Sequence, residues 1–203
     1  MPFLPHRSPP SETQSPQLSL QQAGEFSEEE RACLLRVAHE AIETLVESRH
    51  LNLEAPNPHF REPRGVFTTI YLHRELRGCV GYVFPVTSLY RAVIETARAA
   101  ASQDTRFRPV GAEETRHIRI SLSVISPLSP VLPDQLEVGR HGLVVTLGVH
   151  RGLLLPQVPI EHNWDRVTFL EQTCRKAGLP ADAWRNGATL EAFTAEVFSD
   201  PES

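Results

Sequence analysis

Seven residues past the middle of the chain alternate without a break: Ile118, Ile120, Leu122 and Val124 are apolar, and Arg119, Ser121 and Ser123 between them are polar. Successive side chains of a strand point to opposite faces, so a period of two sets one face on a core and leaves the other wetter. A strand covered on one side belongs to an antiparallel sheet, because strands buried on both faces read as continuous apolar runs. Pro127 and Pro130 close it.

The segments around that strand divide between hairpins and helices. Val66 to Leu72 is rich in β-branched and aromatic residues, and polar His73-Arg74-Glu75 separates it from Leu76 to Val83, which predicts a β-hairpin. Ser27 and Glu30 form a capping box ahead of Leu34, Leu35, Ala38, Ala41, Ile42 and Leu45, so a helix is expected from about Glu28 to Ser48. Tyr90, Val93, Ile94, Ala97, Ala100 and Ala101 share one face of a second helix, after candidate caps Thr87 and Ser88. Leu143 to Leu147 and Gly152 to Leu155 predict a second hairpin turning at His150-Arg151. A third helix carries Val167, Leu170, Cys174 and Ala177, with Gly178 suited to end it and Pro180 beyond. Leu190 to Phe198 permits a helix by its Glu/Ala content, but the alternation Phe193, Ala195, Val197 favours a strand. Hairpins mixed with helices, without a regular βαβ rhythm, predict an α+β fold: a mostly antiparallel sheet with helices packed on it.

With 203 residues, 40% of them hydrophobic, the chain can bury a proper core, and one compact domain over residues 25–203 is expected. Residues 1–24 hold Pro2, Pro5, Pro9, Pro10 and Pro16 among Ser and Gln, a composition that predicts a disordered tail. No apolar run approaches the roughly 18 residues of a membrane span, and the first residues lack the pattern of a secretory signal, so a cytoplasmic protein with no membrane partner is expected. Three dispersed cysteines, Cys33, Cys79 and Cys174, suggest reduced thiols and no disulfide framework. A net charge of -5 without a basic cluster argues against general nucleic-acid binding. There is no P-loop, GxGxxG or GxSxG motif, and no cofactor is predicted.

The chemistry with the clearest spacing lies at Leu76-Arg77-Gly78-Cys79-Val80-Gly81. In an extended segment Arg77 and Cys79 share a face, with Cβ atoms about 6 to 7 Å apart. A guanidinium beside a thiol favours the thiolate, and Gly78 and Gly81 leave backbone N–H groups uncovered for a substrate oxyanion. Cys79 is then a nucleophile or redox thiol with Arg77 its partner. The competing reading is structural, since free cysteine packs well and strand glycines mark bulges or close contacts. Cys174 lies on an apolar helix stripe and reads as core. His39 and Glu43, four apart on a polar helix face, read as a solvated pair, and no histidine set suggests a metal. Asp104 and Arg106 in Ser102 to Pro109 read as a loop locked by an Asx-turn and an ion pair. In Leu155 to Trp164, Gln157, Glu161 and Trp164 offer an amide, a carboxylate and an aromatic surface to a substrate; equally, Glu161 and Asn163 could cap the next helix while Trp164 packs.

Taken together, LRGCVG, SQDTRFRP, ISLSVISPL followed by VGRHGLVV, and GLLLPQVPIEHNWDRVTFLEQTCRKAGL resemble the AMMECR-one domain family over about Gly24 to Asp200. The hexapeptide is the family's hallmark, usually with Ile where this chain has Val80, and Pro159 stands where Ala is usual. The resemblance implies two unequal subdomains with antiparallel strands. It implies a functional site at the hexapeptide and a shared modification or redox pathway with Memo-type and radical SAM proteins, as partners or neighbours. The other reading of the same likeness is a non-enzymatic module that docks such partners.

Overall fold

The computed structural model describes residues 24–51 and 54–201. The expectation for the Pro-rich tail therefore falls, except for Gly24, outside the described residues. The fold is α+β, built on two four-stranded sheets whose pairings are all antiparallel. Where the sequence predicts one sheet, there are two. The first takes β1 (Val66–Leu72), β2 (Glu75–Tyr82), β3 (Ile118–Ile125) and β8 (Ala195–Ser199) in the order β2-β1-β3-β8. The second takes the two-residue β4 (Ser129–Pro130), β5 (Gly142–Leu147), β6 (His150–Leu154) and β7 (Thr189–Phe193) in the order β4-β7-β5-β6.

Helices α1 (Glu28–Val46) and α2 (Leu89–Ser102) cover one face of the first sheet. The Ser27–Glu30 capping box forms, satisfying helix N–H groups that have no partner within the helix. Leu34, Ala38 and Ile42 of α1 and Val93 and Ala97 of α2 pack with Val66, Ile70, Ile120 and Leu122 in one buried cluster. Ile118, Ile120, Leu122 and Val124 are thus the core row that their alternation predicts, each apolar side chain contributing about 1.5 to 3 kcal/mol by leaving water. The opposite row faces away from the helices.

The second sheet holds α4 (Arg166–Lys176) through Phe169, Leu170 and Cys174 against Leu143, Val145 and Leu190. This is the third helix of the sequence reading, and Gly178 in the left-handed region follows it as expected. A one-turn helix, α3 (Gln157–Glu161), precedes it where a loop is predicted. The cap of α4 is Asp165, which accepts the Thr168 N–H at 2.7 Å, and neither Glu161 nor Asn163 caps it. The second hairpin turns at Gly148-Val149, two residues earlier than predicted, so His150 and Arg151 lie in β6. Gly148 adopts a φ of 60° that the turn needs and His150 would accept less readily.

The segment Leu190 to Phe198 is extended, as the alternation implies, but it serves both sheets. β7 ends at Phe193 and β8 begins at Ala195. At Thr194 the chain crosses over, held by Ser126, whose N–H donates to the Thr194 carbonyl at 2.9 Å and whose hydroxyl accepts the Thr194 N–H at 3.0 Å. Val83, Ile125, Val144 and Phe193 form a third buried cluster, with Phe67, Phe84 and Ala195 packed against it. This cluster joins the two sheets.

Candidate functional site

β2 is an edge strand, and its register against β1 slips once: Ile70 pairs with Gly78 and Tyr71 with Leu76, leaving Arg77 as the extra residue of a bulge. The bulge breaks the alternation on which the shared face of Arg77 and Cys79 depends. Arg77 turns into a buried ion pair with Glu114, Nε to Oε1 at 2.9 Å and Nη2 to Oε2 at 3.0 Å, and donates to the carbonyls of Arg108 (2.8 Å) and Pro109 (3.2 Å). Side chains 10% and 8% exposed have exchanged water for each other. The Arg77 guanidinium holds Glu114 down to about 2, with the Gly111 N–H assisting against the opposing effect of burial. Arg77 is thus a tie between β2 and the loop before β3.

Cys79 remains in register opposite Thr69, whose Oγ1 is 3.2 Å from its Sγ, on the sheet face away from the helices. Its backbone N–H points off the sheet edge and donates to Asp104 Oδ2 at 2.8 Å. Asp104 also accepts the Arg106 backbone N–H (3.2 Å), Nε (2.9 Å) and Nη2 (2.7 Å), so the Asx-turn and ion pair read from the loop sequence both form. The Asp104 side chain is only 6% exposed, and the Arg106 guanidinium and then the Cys79 N–H hold its carboxyl well below the usual carboxylate range. The hydrogen bonds to Asp104 raise Arg106 above its ordinary value, against some desolvation. The cation joined to Cys79 through a shared carboxylate is therefore Arg106, not Arg77.

Cys79 opens on a cleft of about 610 Å³ that runs between the first sheet and α3, with walls that include Thr69, Val197, Arg140, Gln157 and Ile160. Two candidate residues from separate stretches, Cys79 and Gln157, meet there. Glu161 and Trp164 do not: Glu161 is exposed at the end of α3, and Trp164 packs on the second core with its ring stacked on His162, centroids 4.7 Å apart. No histidine of the described residues lines the cleft.

The two hexapeptide glycines are explained by packing rather than by a substrate opening. A Cβ on Gly78 would lie 2.2 Å from the Ala100 carbonyl oxygen of α2, and one on Gly81 would lie 2.4 Å from Phe67 Cα. They let β2 approach α2 and β1. Of the other thiols, Cys174 is fully buried and burial pushes it up, and Cys33 is half-buried beside the first core.

His39 bonds Asp200 Oδ2 at 2.8 Å, pairing across 161 residues instead of with Glu43. Among the described residues one set could offer three metal ligands, Glu25, His59 and Glu62. Arg64 already bonds both carboxylates, with Glu62 at 2.9 Å, and His59 is turned to Glu30 at 2.9 Å, so the set reads as an ion-pair network. The contributions of Glu114 and Thr69 carry no signal in sequence spacing. Arg106 does carry one, in the local Asp104–Arg106 motif, whereas the bond from Asp104 to Cys79 spans 25 residues.

The AMMECR1 family model matches residues 35–198. A protein of Methanococcus aeolicus is 40% identical over 185 residues, covering 86% of this chain and 93% of that one. A protein of Thermofilum pendens is 42% identical over 196 residues, covering 86% and 92%. The fold is similar to the crystal structure of the uncharacterized protein PH0010 from Pyrococcus horikoshii, with a TM-score of 0.64 and 38% identity over 83% of this chain and 90% of that one. By family match, relatives and fold together, this chain belongs to the AMMECR1 family.

Proposed function

We propose that the protein is a thiol-dependent catalytic or substrate-handling component of a modification or redox pathway, in which Cys79 acts on a molecule held in the cleft between the first sheet and α3. The observation that carries this reading is the Cys79 Sγ on the cleft wall beside Thr69, with the Arg106 guanidinium held on the same Asp104 carboxylate that accepts the Cys79 N–H. The thiolate is the reactive form of cysteine, and an adjacent cation favours it and any anion formed when it attacks. Gln157, on the facing wall, supplies an amide that can orient a carbonyl or carboxylate. Arg77 acts one step back, fixing β2 through Glu114. Memo-type and radical SAM proteins are the partners proposed for such a pathway.

The test is alkylation by iodoacetamide, followed residue by residue by mass spectrometry. Cys79 is expected to react faster than Cys33 and Cys174, and Arg106→Gln is expected to slow Cys79 by roughly tenfold. Equal rates at Cys79 and the buried Cys174 would overturn the reading.

A second reading has its own observation. Ile160 and Val197, on opposite walls of the cleft, are 60% and 61% exposed. Apolar side chains facing each other across a groove suit the docking of a protein segment. If the chain is a non-enzymatic module, capture of a Memo-type or radical SAM partner will survive Cys79→Ser and fail with Ile160→Asp.

A further inference from the structure

The face of the first sheet that carries Cys79 does not end at the cleft. Across the strands Cys79 pairs with Thr69, Thr69 with Ser121 and Ser121 with Ser199, and one same-face step further along lie Tyr71 and Arg119, themselves paired. Tyr71, Arg74, Arg119 and Ser199 line a second pocket, of about 460 Å³, on this same face. With strands about 4.8 Å apart and same-face steps of about 6.8 Å, the Cα atoms of Cys79 and Arg119 lie about 12 Å apart. The row is hydroxyl-bearing: Thr69 and Ser121 lead from Cys79 toward Arg119, and Ser199 lies one strand beyond, bonded to Ser121 at 2.9 Å.

We propose that the pocket at Tyr71, Arg74, Arg119 and Ser199 is an oxyanion subsite, holding the phosphate or carboxylate of an elongated substrate whose other end lies at Cys79. The placement of Cys79 rests on the function proposed above; the subsite itself rests on its own residues.

Two arginines, Arg74 and Arg119, line one pocket. Arg119 donates from Nη2 to the Asp200 carbonyl at 2.8 Å, which fixes its plane, and its Nε is buried without a hydrogen-bond partner among the described residues. The carboxylate of Asp200, which interacts with the charge of Arg119, is already engaged by His39 and by the Ile120 N–H at 2.7 Å. With Nε buried and the plane fixed, the Nη groups are the edge that can meet a planar or tetrahedral oxyanion. Arg74 is brought to the same pocket by the β1–β2 turn, where His73 and Arg74 have φ values of 51° and 69°. Both central residues of such a turn need positive φ, for which Asn-Gly is the favoured pair, so this turn keeps a bulky cation where a small residue would be easier. At the same turn the His73 ring stacks on that of His117, centroids 6.4 Å apart. The Tyr71 hydroxyl supplies a further donor type.

Two measurements test this. In calorimetry of the full chain with inorganic phosphate and, separately, succinate, at least one anion is expected to bind, and the arm that responds names the oxyanion. Arg119→Gln is expected to weaken it by at least about tenfold. Ser199→Asp, which places a like charge in the pocket and leaves the Arg119–Asp200 contact in place, is expected to do the same, and Cys79→Ser to leave binding unchanged. Binding of neither anion, or equal binding by wild type and both pocket variants, overturns the subsite. The second measurement compares labelling of Cys79 by a haloacetamide carrying a phosphonate about 10 Å from its reactive carbon with labelling by uncharged iodoacetamide. The anionic reagent is expected to react faster, with the excess lost in Ser199→Asp. Failure of both reagents to label Cys79 defeats the thiol reading alone, whereas labelling without any anionic excess defeats the proposed span.

Discussion

The carboxylate of Asp104 accepts the backbone N–H of Cys79 at 2.8 Å, and this bond, with those of Arg77, fastens the loop after α2 to the open edge of the first sheet. An edge strand presents unpaired N–H groups, and a side-chain acceptor closes one of them where a further strand would otherwise add. Because the same carboxylate binds Arg106 through Nε and Nη2, edge protection and placement of the cation near the thiol are one device.

Asp104→Asn therefore separates shape from charge. The amide oxygen can still accept the Cys79 N–H, but its pairing with Arg106 is lost. Cys79 alkylation is expected to fall roughly as far as in Arg106→Gln, about tenfold, with a smaller loss of melting temperature than in Asp104→Ala. An alkylation rate unchanged in Asp104→Asn would show that Arg106 is placed by something other than this pair.

The Arg77–Glu114 pair is expected to act on stability and not on the thiol. Removing one partner leaves a buried charge uncompensated, and Arg77→Met or Glu114→Gln should cost about 3 to 5 kcal/mol in urea denaturation. The double variant Arg77→Met/Glu114→Leu should recover much of that loss. Glu114 is held down to about 2 by Arg77, below the value of about 4.3 of an unfolded chain. Its contribution is complete above the unfolded value and is lost as pH falls through the folded one. Acid unfolding monitored by circular dichroism should be shallower between about pH 4 and 2 in Glu114→Gln than in wild type.

His59 has the opposite sign. Its Nδ1 lies 2.9 Å from Glu30 Oε1 and its Nε2 3.4 Å from Glu25, and the hydrogen bond to Glu30 raises it above its ordinary value, against some desolvation. A group raised on folding contributes fully below its unfolded value of about 6.5 and loses that contribution as pH rises through the higher folded value. Melting temperature should therefore decline from about pH 6 into the alkaline range, and His59→Asn should flatten that slope while lowering stability at pH 6. Since Glu30 also closes the capping box on Ser27, Glu30→Gln should remove both the slope and part of the cap.

These cases show what the sequence makes legible. Local periodicity carried the strands, the helices, the Ser27–Glu30 cap and the Asp104–Arg106 loop, because each depends on residues within a few positions of one another. Glu114 lies 37 residues from Arg77 and Asp104 lies 25 from Cys79, and only the tertiary fold brings them together. The bulge at Arg77 leaves no mark on the local pattern, yet one extra residue in β2 reverses the face a strict alternation assigns. The crossing at Thr194 hid for the complementary reason, since two strands in separate sheets kept one uninterrupted alternation. The cleft itself was half visible, in Cys79 and Gln157, and half a product of how β8 and α3 converge.

Gly78 decides between two accounts of the hexapeptide. As an opening for substrate backbone contacts it would tolerate Ala at little structural cost and lose reactivity at the thiol. As a packing glycine it cannot accept Ala cheaply, because the new Cβ would lie 2.2 Å from the Ala100 carbonyl oxygen, a backbone atom of α2 that cannot rotate away. Overpacking of that kind costs about 1 to 3 kcal/mol. Gly78→Ala should therefore lower the urea midpoint without changing the slope, while the folded fraction keeps the wild-type rate of Cys79 alkylation, because Cys79 projects to the other face. An unchanged midpoint with a slower thiol would reverse the assignment, and would return Gly78 to the site that Cys79 and Arg106 form on the opposite side of the strand.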